Sequence, residues 1–211
     1  SYELVSVDGD TNVTASPFNI SADSAHIFLT SALDHEAKVS YELLVRAVDS
    51  ASPVANAANT TVTISVDNVN DHAPVFTHTA TGVSTADTVS EGAVITSVSA
   101  SDADGDTVRF SIVGGDPGEA FVINPATGAI SRADGPLCAA DKSTYHLVIR
   151  ATDSGVPPRS TDSSTFTITV TAGNLYNPVF ASDLTRVTLL ETTALGDYVA
   201  RVEATDDDCG D

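Results

Sequence analysis

The sequence predicts an all-β chain of tandem Greek-key β-sandwiches set end to end with short linkers. Three observations carry this. Apolar and polar residues alternate in short runs, turn residues separate those runs, and marker residues recur at a constant offset of about a hundred positions, the size of a domain rather than of a solenoid unit.

The alternation is clearest where Tyr41, Leu43, Val45 and Ala47 point one way and Glu42, Leu44, Arg46 and Val48 the other. Further along, Tyr145, Leu147, Ile149 and Ala151 alternate with His146, Val148, Arg150 and Thr152. A second pair of strands is predicted at Thr61 to Val66 and Phe166 to Val170, and shorter ones at Val94 to Ala100, Val108 to Val113, Ala120 to Asn124 and Ala129 to Ser131. Turn clusters such as Gly114-Gly115-Asp116-Pro117-Gly118 divide them. No window sustains a helical period. Short strands at about 8 to 12 residue spacing in a unit of about 100 residues predict an antiparallel Greek-key sandwich.

The repeat sets the domain boundaries. At one offset Leu33 pairs with Leu137, Tyr41 with Tyr145, Asp49 with Asp153, Pro74 with Pro178, Gly92 with Gly196 and Asp102 with Asp206. Residues 75–178 are then one complete repeat, 1–74 a repeat lacking its start, and 179–211 the start of a third, too short to bury a core. The chain reads as a fragment of a longer tandem array.

Each boundary falls on a connector. In Asp67-Asn68-Val69-Asn70-Asp71-His72-Ala73-Pro74, side-chain oxygens crowd a segment that Pro74 stiffens and holds extended. Hard oxygen ligands on a rigid connector suit Ca²⁺, which takes six to eight of them at about 2.3–2.6 Å. An EF-hand does not explain Asp102, Asp104 and Asp106, because Thr107 stands where that loop needs Gly and Val113 where it needs Glu.

Composition narrows the partners. With 29 acidic residues against 9 basic ones the formal charge is −20, which argues against nucleic acid and anionic lipid. The sequence has no targeting segment and no apolar run long enough to span a membrane. Sequons at Asn12, Asn19 and Asn59 permit N-glycosylation of a secreted protein. An enzyme finds no support: His26, His35, His72, His78 and His146 lack metal-ligand spacing, His35 and His72 reading as exposed loop residues, there is no nucleophile elbow, and no glycine-rich loop opens a helix. No small-molecule substrate is implied.

Asn70-Asp71-His72-Ala73-Pro74, Leu33-Asp34-His35-Glu36, Asp102-Ala103-Asp104 and the Tyr-x-Leu-x-Val-x-Ala-x-Asp runs ending at Asp49 and Asp153 resemble the motifs of cadherin extracellular repeats, in that family's order and spacing. The resemblance covers essentially the whole chain. It implies seven-stranded, immunoglobulin-like sandwiches and Ca²⁺ as cofactor, three ions at each junction between repeats. Carried over, the ligands at the first junction are Asp34, Glu36, Asn68, Asn70, Asp71, Asp102, Asp104 and Asp153, with the carbonyls of Val69 and His72. The set departs from the family's at Asn68, where the family has Asp, which implies one weakened ion.

The second junction departs further. Cys138-Ala139-Ala140 replaces Asp34-His35-Glu36, Leu175 replaces Asp71 and Ala172 replaces Asn68. What remains is Asn174, Asp206, Asp208 and one acid near the first strand of the second repeat. Asp87 and Glu91 both qualify for that place, the ungapped offset aligning Asp87 with Glu191 and the local Ser-Glu-Gly pattern favouring Glu91. These losses imply a calcium-poor junction that is flexible or bent. Cys138 and Cys209 map to the same junction, where they either form an inter-repeat disulfide or are unrelated free thiols.

The function implied is calcium-dependent cell adhesion, in which Ca²⁺ stiffens a rod of repeats on the extracellular side of the plasma membrane. Its partners would be other cadherin ectodomains, homophilic or heterophilic, and the parent a single-pass, membrane-anchored protein. Without Trp the chain cannot exchange a Trp-bearing N-terminal strand, so it reads as a spacer. The alternative is a calcium-dependent carbohydrate-binding or bacterial-type cadherin-like module, for which the compact Asp102-Ala103-Asp104-Gly105-Asp106 run speaks.

Overall fold

Alternation sets which face of each long strand is buried. In the strand Thr144–Thr152, Tyr145, Leu147, Ile149 and Ala151 are buried while His146 and Arg150 face solvent. Its counterpart Ser40–Val48 buries Leu43 and Val45 and exposes Glu42 and Arg46. The computed structural model describes residues 1–51, 54–77, 81–163, 165–181 and 186–209. The chain folds as two units, Ser1–His72 and Ala73–Asp211, each with its own core.

In the first unit Tyr2–Val7, Ser40–Val48 and Ala57–Ser65 form an antiparallel sheet in that order, with a hairpin of Phe18–Ile20 and Ile27–Leu29 beside it. Val7, Phe18, Leu43 and Val45 are its buried cluster. The last strand begins at Ala57, four residues before the alternating run that predicts it at Thr61, because Ala57 to Thr60 continue the ladder opposite Val45 to Val48.

The second unit is the sandwich proper. One sheet orders Arg109–Gly114, Thr144–Thr152, Phe166–Thr171 and Gly82–Ala86, with Ser160–Asp162 also paired to Thr144–Thr152; the other orders Phe121–Ile123, Ala129–Arg132 and Val94–Ser97. Ile130 from one sheet and Leu147, Ile149 and Ile168 from the other are fully buried between them. Each such side chain contributes about 1.5–3 kcal/mol.

Two features correct the predicted pattern. The sandwich is not wholly antiparallel, since Gly82–Ala86 lies parallel to Phe166–Thr171. Gly82–Ala86 is the edge strand there, and the chain between it and Phe166–Thr171 supplies the crossover a parallel pair needs. The run from Val94 to Ala100 is two strands: Val94–Ser97 pairs with Ala129–Arg132, the chain turns at Val98, and Ala100–Ser101 pairs with Val75–Phe76. The same small pair recurs as Val179–Phe180 with Ala204–Thr205.

The repeat also extends to side chains. Phe18 meets Tyr41 edge-on at 5.0 Å and Phe121 meets Tyr145 at 4.9 Å, while Lys38 and Lys142 sit over those tyrosine rings at 4.7 and 4.2 Å. Burial raises the pKa of the Tyr145 phenol.

Two carboxylates of the first unit have lowered pKa values. The Lys38 ammonium donates to Asp8, with the Glu42 N–H adding to its effect, and the N–H groups of Ala51 and Asn56 hold Asp49. A carboxylate whose folded pKa is depressed contributes stability that is present above its unfolded pKa and lost as pH falls through the folded one. Melts of the chain should hold from neutral pH to about pH 4 and decline below it. Asp49→Asn should reduce that acid decline.

Candidate metal centre

The connector begins where the strand Ala57–Ser65 ends. The Val66 N–H donates to Val39 O at 2.9 Å, and Val66 O accepts from His35 Nδ1 at 2.8 Å. His35 is therefore half-buried and bonded, not the exposed loop residue the sequence suggests: it ties the Asp34–Glu36 loop to the head of the connector. As a donor to a carbonyl, its Nδ1 carries the proton. Asp34 is exposed and shapes its own turn, its Oδ1 accepting from Ala37 N at 3.0 Å. In the same unit, ligand atoms of Glu36, Asp71 and His72 lie within 4.8 Å of one another, and His72 Nδ1 is 2.7 Å from Asp71 Oδ1. The His72 ring stands in this group, whereas the sequence assigns a ligand role to its backbone carbonyl alone. Asn68 and Val69 are exposed and Asn70 is half-buried.

The second unit gathers a cluster of its own. Carboxylate oxygens of Asp102, Asp104 and Asp106 lie within 4.8 Å of one another, and all three residues are partly withdrawn from water. Asp102 Oδ1 accepts from Asp104 N at 2.9 Å and fixes the turn that aims the acids together, while Asp102 Oδ2 is buried with no hydrogen-bond partner among the described residues. Asp106 Oδ1 accepts from Ser154 Oγ at 3.0 Å. Two charges about 4 Å apart repel by about 4 kcal/mol at an effective dielectric near 20, and a divalent cation turns that repulsion into attraction. All-oxygen donors with one orphaned buried carboxylate oxygen fit a hard cation such as Ca²⁺. Asp153 is buried and serves the turn behind this cluster, its oxygens accepting from Gly155 N at 3.1 Å and Arg159 N at 2.9 and 3.0 Å.

The residues assigned to the second junction behave differently. Cys138 and Cys209 are joined in a disulfide with a Cα separation of 5.6 Å. Asp208 is buried, and its two oxygens accept from Leu175 N at 2.9 Å and Tyr176 N at 3.1 Å. Asp87 accepts from Gly173 N at 2.7 Å and Ala139 N at 3.2 Å, whereas Glu91, Glu191 and Asn174 are exposed. Asp206 Oδ1 accepts from Asp208 N at 2.8 Å, reproducing the turn of Asp102 and Asp104. Asn12, Asn19 and Asn59 are exposed, as glycan acceptors must be, and His78 lies outside the described residues.

The family described as the cadherin domain matches residues 2–67 and 83–171, well over half of the chain. The chain belongs to the cadherin family. It is 32% identical over 214 residues to the rat cadherin EGF LAG seven-pass G-type receptor 3, covering 100% of this chain and 6% of the receptor. It is 35% identical over 203 residues to human protocadherin Fat 4, covering 94% of this chain and 4% of that protein. This cadherin chain thus spans a small part of the length of the relatives it matches. Among solved structures it resembles mouse cadherin-23 EC22-24 at a TM-score of 0.71 and 27% identity, covering 100% of this chain and 66% of that one. Human CDH23 EC21-23, at a TM-score of 0.74 and 21% identity over 99% of this chain and 74% of that one, shares the fold.

Within this cadherin chain, Asp106 stands with Asp102 and Asp104 in one acidic group, although sequence reasoning names only the latter two as ligands. Its signal is the Asp-x-Asp-x-Asp spacing, which converges three carboxylates without an EF-hand loop around them.

Proposed function

We propose that this chain is a segment of a calcium-dependent adhesion ectodomain, with repeats at 1–74, 75–178 and 179–211. Ca²⁺ taken up at the junction of the first two repeats stiffens the rod. The observation that carries the reading is that each unit of a cadherin chain brings its own group of carboxylates, Glu36 with Asp71 beside the His72 ring in one, Asp102 with Asp104 and Asp106 in the other. Asp34, Asn68, Asn70, Asp153 and the carbonyls of Val69 and His72 complete the proposed set. Bound there, Ca²⁺ supplies charge neutralisation and a fixed geometry; the chain performs no catalysis.

The segment acts at the extracellular face of the plasma membrane, in a parent anchored by a membrane domain elsewhere, and its partners are other cadherin ectodomains. Beads coated with the full ectodomain should aggregate in calcium and disperse in chelator. Dispersed beads in calcium, together with binding on a glycan array, would instead support a carbohydrate-binding module.

His35 should position the calcium loop without touching the ion. His35→Ala removes one hydrogen bond worth about 1 kcal/mol, a loss of roughly fivefold in calcium affinity. His35→Asn, which keeps a donor, should recover most of it. Equal loss in both variants, read by calorimetry, would show that the bond to Val66 plays no part.

A further inference from the structure

The connector at 172–178 keeps the outline of a calcium junction but has its acids otherwise engaged. At the first connector the acids converge on one another. Here Asp208 receives the N–H groups of Leu175 and Tyr176, and Asp87 receives those of Gly173 and Ala139. Four backbone donors thus satisfy these two carboxylates without a metal.

Gly173 makes this possible. A Cβ built there would lie 2.1 Å from Thr88 Cγ2, so any other residue would have to displace the Thr88 side chain or the connector. The residue at the matching position of the first connector is Val69.

The disulfide closes the same place. Cys138 stands where the first repeat has Asp34, and its bridge to Cys209 lies directly after Asp208. Among the described residues of 179–209, only Asp206, Asp208 and Cys209 are drawn out of full exposure. The stretch fixed to the second repeat is therefore the one that carries the bridge and the capping acid.

We propose that this joint is held by a covalent, cation-independent clamp, in place of the flexible junction that ligand loss alone implies: the Cys138–Cys209 bridge keeps Asp208 on the connector N–H groups. The proposal rests on reading 172–178 as a junction between repeats. It makes the joint sensitive to reduction and insensitive to calcium. Reduction by a phosphine or dithiol adds two electrons and two protons and returns two thiols, releasing the segment that carries Asp208.

The test is amide hydrogen exchange on the 211-residue chain, in calcium, in chelator and in a phosphine reductant, alongside Cys209→Ser and Asp208→Ala. Cys209 lies outside the buried core from Val98 to Val170, so the variant should keep the sandwich, which protection of the Thr144–Thr152 amides verifies. Protection at Gly173, Leu175 and Tyr176 should change less than twofold on chelation. At Leu175 and Tyr176 it should fall at least tenfold on reduction, in Cys209→Ser and in Asp208→Ala, while Gly173, held by Asp87, keeps its protection in all three. Loss of protection on chelation, or full protection in Cys209→Ser, overturns the clamp. The amides of 67–73 report the calcium reading of the first junction separately, so either can fail alone.

Discussion

Asp104→Ala should remove most of the calcium-linked stability of this chain and change its melting temperature in chelator far less. Asp104 shares a space of 4.8 Å with Asp102 and Asp106, where a cation bound as proposed would draw on its carboxylate. At a calcium concentration about 100 times the dissociation constant, bound metal adds about 2.7 kcal/mol, and most of that should be lost. The hydrogen bond that shapes the turn runs from the backbone of residue 104 to Asp102 Oδ1, so the alanine variant keeps the turn. Melting in calcium and in chelator separates these effects. A variant destabilised equally in both would show that Asp104 is a structural residue only.

Leu147→Ala should be among the most damaging changes in the second unit, costing about 2–5 kcal/mol. Leu147 is fully buried at the centre of Thr144–Thr152, a strand hydrogen-bonded to Arg109–Gly114 on one side and Phe166–Thr171 on the other. A cavity there has packed strands on both sides and little room to collapse. Leu43→Ala is the matching change in the first unit, where Leu43 is also fully buried. Two separable unfolding steps, each moved by its own variant, would confirm that the cores are independent. Equal shifts of one step by both variants would show a single cooperative unit.

The strand phases were legible because a two-residue period leaves each residue of a half-buried strand only one of two faces, which is why Tyr145, Leu147, Ile149 and Ala151 all fall inward. The repeat was legible for a related reason: each small pair, such as Val75–Phe76 with Ala100–Ser101, is specified by residues at fixed offsets. What escaped the sequence depends on long-range geometry. Nothing local announces that Val94 to Ala100 changes partner at Val98, or that His35 reaches Val66 across 31 positions. The Cys138–Cys209 bridge joins residues 71 apart, and whether they pair depends on the path of the connector between them. Asp87 and Glu91 were equal candidates on paper; the connector N–H of Gly173 points at Asp87. Asp106 was visible as a spacing, but matching it to a known loop hid that three acids on one turn can converge without that loop.

The most direct measurement is a calorimetric Ca²⁺ titration of the 211-residue chain, with parallel melts in calcium and in chelator. Uptake of about two to three ions with a clear rise in melting temperature, abolished by Asp104→Ala, is expected if calcium is held at the first junction alone. Uptake of about twice that number would mean that the second junction also binds calcium, and no uptake would contradict the calcium mechanism altogether.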